Sequence, residues 1–243
     1  MRRPLAAVLV LLCALSLAGG GLAAQEASPA ASPVASPVGT AELTIPVDEP
    51  VAGLSQGEWS ARQWQWLVSF PNEASPNADQ TGARCGFGQS GPVFFLAGLV
   101  GPGPAERACT VPADTAILLP VFGAECSTVE PPPFFGRDEA ALAACAAAAL
   151  GSGPDPAGME ITVDGQTLGD LGRFRMATPL FTLVLPEDNI FGTPAGVGSA
   201  VADGYFVMLA PLPPGEHVVE LRSSISLTYR LTVVAPTVVE PGT

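Results

Sequence analysis

The chain contains no lysine and a single histidine, His217. Without lysine, Schiff-base catalysis and the phosphate-gripping lysine of nucleotide-binding loops are excluded. One histidine excludes any metal site built on two. Charge is scarce: 14% of residues are charged, against about 25% in ordinary domains. What charge there is leans acidic, with Lys+Arg 10 against Asp+Glu 23 and a formal net charge of −13. Such a chain is ill suited to the phosphates of nucleic acid. Because 48% of residues are hydrophobic, charge-driven disorder is excluded as well. A length of 243 residues allows one large domain or two small ones.

The chain starts with Arg2 and Arg3, an apolar run from Leu5 to Ala18, and small residues from Gly19 to Ala24. This is the anatomy of a secretory signal peptide over 1–24, with cleavage expected after Ala23 or Ala24. The run is too short for a transmembrane helix, and no later stretch supplies one. Arg2–Arg3 fits twin-arginine export poorly. Cys13 lies inside the apolar run, away from a lipoprotein cleavage position, and belongs to the discarded peptide. Cleavage removes two arginines, so the mature charge becomes −15. Residues 25–40 repeat Ser-Pro with a period of four. Proline restricts itself and its neighbour, so this Ala/Ser/Pro-rich linker is expected to be extended, with a reach of about 50 Å. Residues 235–243 are expected to be a flexible C-terminal tail. The mature protein is expected to be soluble and secreted or cell-surface, outside the cytoplasmic membrane.

Between 41 and 234 the composition is that of one globular domain. Short apolar runs bounded by turn residues read as strands at 92–98, 115–121, 180–185, 205–209 and 217–221. Residues 226–233 alternate polar and apolar, which buries one face. Asp164-Gly165 between two such runs is the strongest hairpin signal. Ser55-Gln56-Gly57-Glu58 is a capping box that opens a helix from Trp59 to Phe70, and Asp138 caps a second helix from Glu139 to Leu150. The fold class is mainly β: a two-sheet antiparallel sandwich, jelly-roll or Ig-like, with one or two packed helices.

After cleavage four cysteines remain: Cys85, Cys109, Cys126 and Cys145. An even number in an exported chain reads as two disulfides. Of three pairings, 85–109 with 126–145 is preferred, because each closes a loop of about twenty residues worth about 3 kcal/mol. The spacings match no zinc pattern. Gly86-Phe87-Gly88-Gln89-Ser90-Gly91 matches the dinucleotide fingerprint literally, but Pro92 and an apparent strand follow it where a helix is required.

Trp59, Trp64 and Trp66 crowd the first helix. At 100° per residue Trp59, Trp66 and Phe70 share a face and Trp64 points elsewhere. The face can fill the core, or Trp64 and the edge of the cluster can stack on a sugar. Carboxylates are the plausible catalytic groups, and Glu58, Asp79, Glu125 and Asp203 lie in or beside distinctive segments. Glu58 completes the capping box, Asp79 can form a turn before Thr81-Gly82, and Asp203-Gly204 reads as a turn before a strand. Glu125 has no such explanation. The same acids could hold Ca²⁺, the one cofactor considered, although no EF-hand spacing is present.

Gly57-Glu58-Trp59, Trp64-x-Trp66, Asn77-x-Asp79-x-Thr81-Gly82, Gly91-Pro92-Val93-Phe94-Phe95-Leu96-Ala97-Gly98, Arg107-x-Cys109-Thr110-Val111-Pro112, Glu125-Cys126 and Asp203-Gly204-Tyr205 together resemble a family of exported bacterial proteins. Phe94 and Gln63 stand where that pattern has tryptophan. The resemblance implies kinship and export; it carries no activity and no site residue.

The sequence thus leads to a non-enzymatic binding module, for carbohydrate or an envelope polymer. The alternatives are a carboxylate-dependent hydrolase using Glu58, Asp79 and Glu125, and a structural envelope protein. A pocket joining aromatics to paired carboxylates would favour the enzyme, and a flat aromatic strip the binding module.

Overall fold

The computed structural model describes residues 43–98, 104–151, 153–222 and 226–235. The signal-like segment 1–24, the linker 25–40 and the tail from 236 lie outside the described residues. Two sheets and two α-helices make up the domain. The first sheet holds β1 (Val93–Phe95), β3 (Ala116–Ser127) and β8 (Gly196–Leu209), with β6 (Arg175–Ala177) and β7 (Phe181–Leu185) following each other along the far edge of β8. The second sheet runs β2 (Ala105–Pro112), β10 (Ser226–Val234), β9 (Gly215–Arg222), β4 (Glu160–Val163) and β5 (Gln166–Thr167).

The expected sandwich of antiparallel sheets needs correction, because both sheets are mixed. β1 pairs with β3 in parallel, and β2 pairs with β10 in parallel. The cause is connectivity. The chain leaves β1, crosses to the second sheet as β2, and returns as β3 beside β1. Parallel neighbours need such a crossover, and here a strand of the opposite sheet provides it. Alternation of apolar residues reports burial but not strand direction.

Burial follows the sequence pattern. β2, β7, β9 and β10 bury alternate residues. The two ends of β3, and β8 from Ala200 onward, are covered on both faces. Ile117, Leu119, Val207 and Leu209 meet Ile161, Val219, Tyr229 and Leu231 of the second sheet in the largest apolar cluster. On the other face α1 (Gln56–Val68) brings Trp59 and Trp66 against Phe95, Leu118, Phe206 and Met208. Ser55 caps α1: the Glu58 N–H donates to its Oγ, and the Ser55 N–H donates to the Glu58 carboxylate at 2.8 Å. α2 (Glu139–Gly151) buries Leu142, Ala146 and Leu150, one residue per turn, and packs on Cys126 and Val201. Asp138 caps it, accepting from the Ala141 N–H at 2.9 Å. Disulfides join Cys85 to Cys109 and Cys126 to Cys145.

Asp203-Gly204 is no turn. It lies inside β8, with Gly204 opposite Gly123 of β3. A Cβ on Gly204 would lie 2.7 Å from the Phe206 ring and 2.8 Å from the Gly123 Cα. Glycine serves here for close packing rather than chain reversal. The reversal at Asp164-Gly165 is real: both residues have positive φ, 51° and 78°, and link β4 to β5.

Candidate functional site

β1 ends at Phe95, opposite Leu118. Beyond that point, among the described residues, no further strand pairs with β3 on this edge, apart from a single bridge between Ser127 and Phe135. Pro120 lies there, and a bulge shifts the register between Pro120 and Phe122. Proline and bulges belong at strand edges because both interrupt pairing. The free edge of β3 therefore becomes the floor of a groove.

Two cavities occupy the groove. One, of about 390 Å³, is lined by Gln63, Trp64, Asn77, Leu96, Phe206 and Ile190 among others. The other, of about 770 Å³, includes Glu125, Glu130, Phe134 and Phe135. Trp64, Phe122, Gly123 and Phe191 line both. A Cβ on Gly123 would press on the Phe206 ring at 3.3 Å and make only ordinary contact with the Trp64 indole at 3.6 Å.

Polar groups along the groove lack partners. Gln63 is buried, and its amide N–H donates to the Leu96 carbonyl at 2.8 Å. That bond leaves Gln63 Oε1 with no donor, and Asn77 Oδ1, Trp64 Nε1 and both Glu125 oxygens are likewise unpartnered. Buried polar atoms in native proteins are nearly always bonded. Five of the seven such atoms among the described residues line these two cavities.

Glu125 is 5% exposed. Burial, a hydrogen bond with Glu130 and the charge of Glu130 raise its pKa far above the ordinary carboxyl range. Two neighbouring acids form a carboxyl dyad in which a negative charge on one disfavours ionisation of the other. Glu130 is positioned by Ser127, whose Oγ donates to Glu130 Oε2 at 2.9 Å and accepts the Glu130 N–H at 3.2 Å.

The other acids named from the sequence lie elsewhere and are engaged. Glu58 is tied to Ser55, whose side-chain and backbone bonds lower its pKa. Asp79 accepts from the Thr81 and Arg84 N–H groups at 2.9 and 2.8 Å. Burial acts to raise its pKa, but these bonds, the Thr81 hydroxyl and the charge of Arg107 together lower it. Asp203 pairs with Arg175 through both oxygens at 3.2 and 2.9 Å. His217 is buried, with Nδ1 2.7 Å from Asp164 and Nε2 2.8 Å from the Pro213 carbonyl, so both ring nitrogens are committed to structure. Among the described residues no group of three or more His, Cys, Asp or Glu is placed to hold a metal, so the Ca²⁺ expectation finds no donor set there.

The three tryptophans divide. Trp59 and Trp66 are buried, and their indole N–H groups donate to the Val51 and Phe87 carbonyls, each at 2.8 Å. Trp66 also lines the smaller cavity. Trp64, half-buried, carries the unpartnered indole N–H. Sequence reasoning missed Gln63 and Asn77 as groove residues, and missed Glu130. The only sequence signal for Glu130 is its place five residues after Glu125 in a Pro- and Phe-rich loop.

Arg107 secures the wall of the groove. It is buried, and donates to the carbonyls of Asp79 (2.7 Å), Asn77 (3.0 Å) and Gly98 (2.9 Å), and to that of Ala97. It thereby fixes the loop that presents Asn77. No family model, no curated protein and no solved structure matches this chain.

Proposed function

We propose that the protein is an exported ligand-binding module that takes a hydroxyl-bearing molecule, a carbohydrate or envelope polymer segment, in the groove beside β3. The observation that carries this reading is the collection of unpartnered polar atoms there. Gln63 Oε1 and Asn77 Oδ1 need donors, and Trp64 Nε1 needs an acceptor. A sugar hydroxyl is both, and the apolar face of a sugar ring stacks on an indole. Export is supported by the signal-like first 24 residues and by two disulfides, which persist in oxidising compartments. No helix among the described residues is long and apolar enough to cross a membrane.

One observation favours a second reading, a hydrolase. Burial and Glu130 raise the Glu125 pKa in a groove with aromatic walls, which favours the protonated form a general acid needs. Cleavage of a glycosidic bond, however, calls for two carboxyl groups about 5–9 Å apart. Glu130 lies close enough to Glu125 to raise its pKa, and among the described residues no third acid lines the cavity to supply that spacing. Binding therefore ranks ahead of catalysis, even though the aromatics and paired carboxylates share one pocket.

Calorimetric titration of the full mature chain with neutral oligosaccharides tests the reading. Trp64→Ala and Asn77→Ala are each expected to weaken binding at least tenfold. Undiminished affinity in both variants would overturn it.

A further inference from the structure

The larger cavity has a character of its own. Trp64, Phe122, Phe134, Phe135 and Phe191 surround it, and the Glu125–Glu130 pair lies at one side. Phe134 and Phe135 remain 43% and 38% exposed although both are large and apolar. Their segment is held in place: the Ser127 N–H donates to the Phe134 carbonyl at 3.0 Å, and the Gly136 N–H to the Ser127 carbonyl at 3.2 Å. The Cys126–Cys145 bridge ties the neighbouring strand to α2. Phe122 abuts Gly153, where any Cβ would fall 2.1 Å from its ring. The backbone that carries Phe134 and Phe135, and the Phe122 ring, are therefore positioned by the protein's own contacts.

The dyad places two acidic side chains, Glu125 and Glu130, at the cavity without a basic partner. Among the described residues no arginine lines the cavity, and the chain has no lysine. Neither Glu125 oxygen receives a donor from the rest of the described residues. A negative charge in a pocket walled by aromatic faces complements an organic cation, because ring faces are electron-rich and attract ammonium groups. The acidic surface adds long-range attraction for cations.

We infer that this cavity is an aromatic cage for an alkylated ammonium group, either on its own molecule or as the cationic substituent of a larger ligand in the groove. The inference rests on reading the groove as a ligand site and names the chemistry at its carboxylate end. A bare metal ion fits less well, since it would find two carboxylates, one hydroxyl and no further acidic ligand.

The test compares choline with 3,3-dimethyl-1-butanol, its neutral isostere, by calorimetric titration of the full mature chain. Wild type is expected to bind choline at least tenfold more tightly than the neutral alcohol. In the double variant Glu125→Gln/Glu130→Gln the cavity keeps its shape and loses its charge, so that preference is expected to vanish. A Phe191→Leu variant, which leaves the dyad intact, is expected to weaken choline several-fold. Equal binding of the two probes by wild type, or choline affinity unchanged in the double variant, would overturn the inference. The outcome also separates it from the wider reading. Neutral oligosaccharides bound without any choline preference would remove the cage and keep the groove, whereas no binding of either class would remove both.

Discussion

Glu125→Gln should remove a pH dependence of stability that wild type is expected to show. In the folded chain burial and the contact with Glu130 hold the Glu125 proton well above the ordinary carboxyl value of 4.5. In the unfolded chain that proton leaves near 4.5. Above this pH the native state binds one more proton than the unfolded state, so raising the pH favours unfolding. The contribution is complete below about 4.5 and is lost progressively as pH climbs toward the raised native value. While the difference is a whole proton, the slope is about 1.4 kcal/mol per pH unit. From pH 5.5 to 7.5 wild type should therefore lose up to about 3 kcal/mol relative to Glu125→Gln. In a domain of this size that is about 6–12 °C of Tm. Glu58 and Asp79 have lowered pKa values, so their contributions are present above the ordinary carboxyl range and lost only at lower pH. They also cancel between the two proteins. Thermal denaturation of both across this window is the assay. Parallel Tm profiles would refute a buried Glu125 with a raised pKa.

Two further predictions concern the frame of the groove. Gly204→Ala places a methyl against the Phe206 ring and the backbone of β3, and overpacking of this kind costs about 1–3 kcal/mol. A Tm unchanged within error would show that β3 and β8 do not approach as described. Replacing Cys126 and Cys145 with serine opens a loop with a sequence separation of 19. That should cost about 3 kcal/mol in denaturant unfolding. It should also loosen the Phe134–Phe135 wall, seen as earlier proteolysis between 128 and 137. Equal stability would contradict a structural role for the bridge.

Much of the fold could be read from the chain because local signals agree with tertiary placement. The Ser55–Glu58 box, the Asp138 cap and the Asp164-Gly165 reversal rest on residues adjacent in sequence. The alternation in β9 and β10 reflects one covered face. β2 escaped notice because Arg107 fills an inward position where an apolar residue would complete the pattern. Its guanidinium is tolerated only because carbonyls distant in sequence surround it. Strand direction was hidden for a similar reason, since β1 and β3 become neighbours through a detour into the other sheet. The helical wheel separates Trp64 from Trp59 and Trp66, but the burial of the latter two depends on Phe95 and Phe206. Gln63 belongs to the groove because its amide N–H is taken by Leu96, 33 residues away. No local pattern encodes that.

The central claim is that the groove along the free edge of β3 holds a ligand through Trp64. The most direct measurement is thermal unfolding of wild type, Trp64→Ala and Trp59→Ala with and without a panel of oligosaccharides. A ligand at a hundred times its Kd adds about 2.7 kcal/mol. Wild type should then gain about 5–10 °C in Tm. Trp59→Ala, which empties a core position, should start at a lower Tm and keep most of the gain. Trp64→Ala should lose it. A full gain in Trp64→Ala, or no gain in wild type with any ligand, would contradict the account.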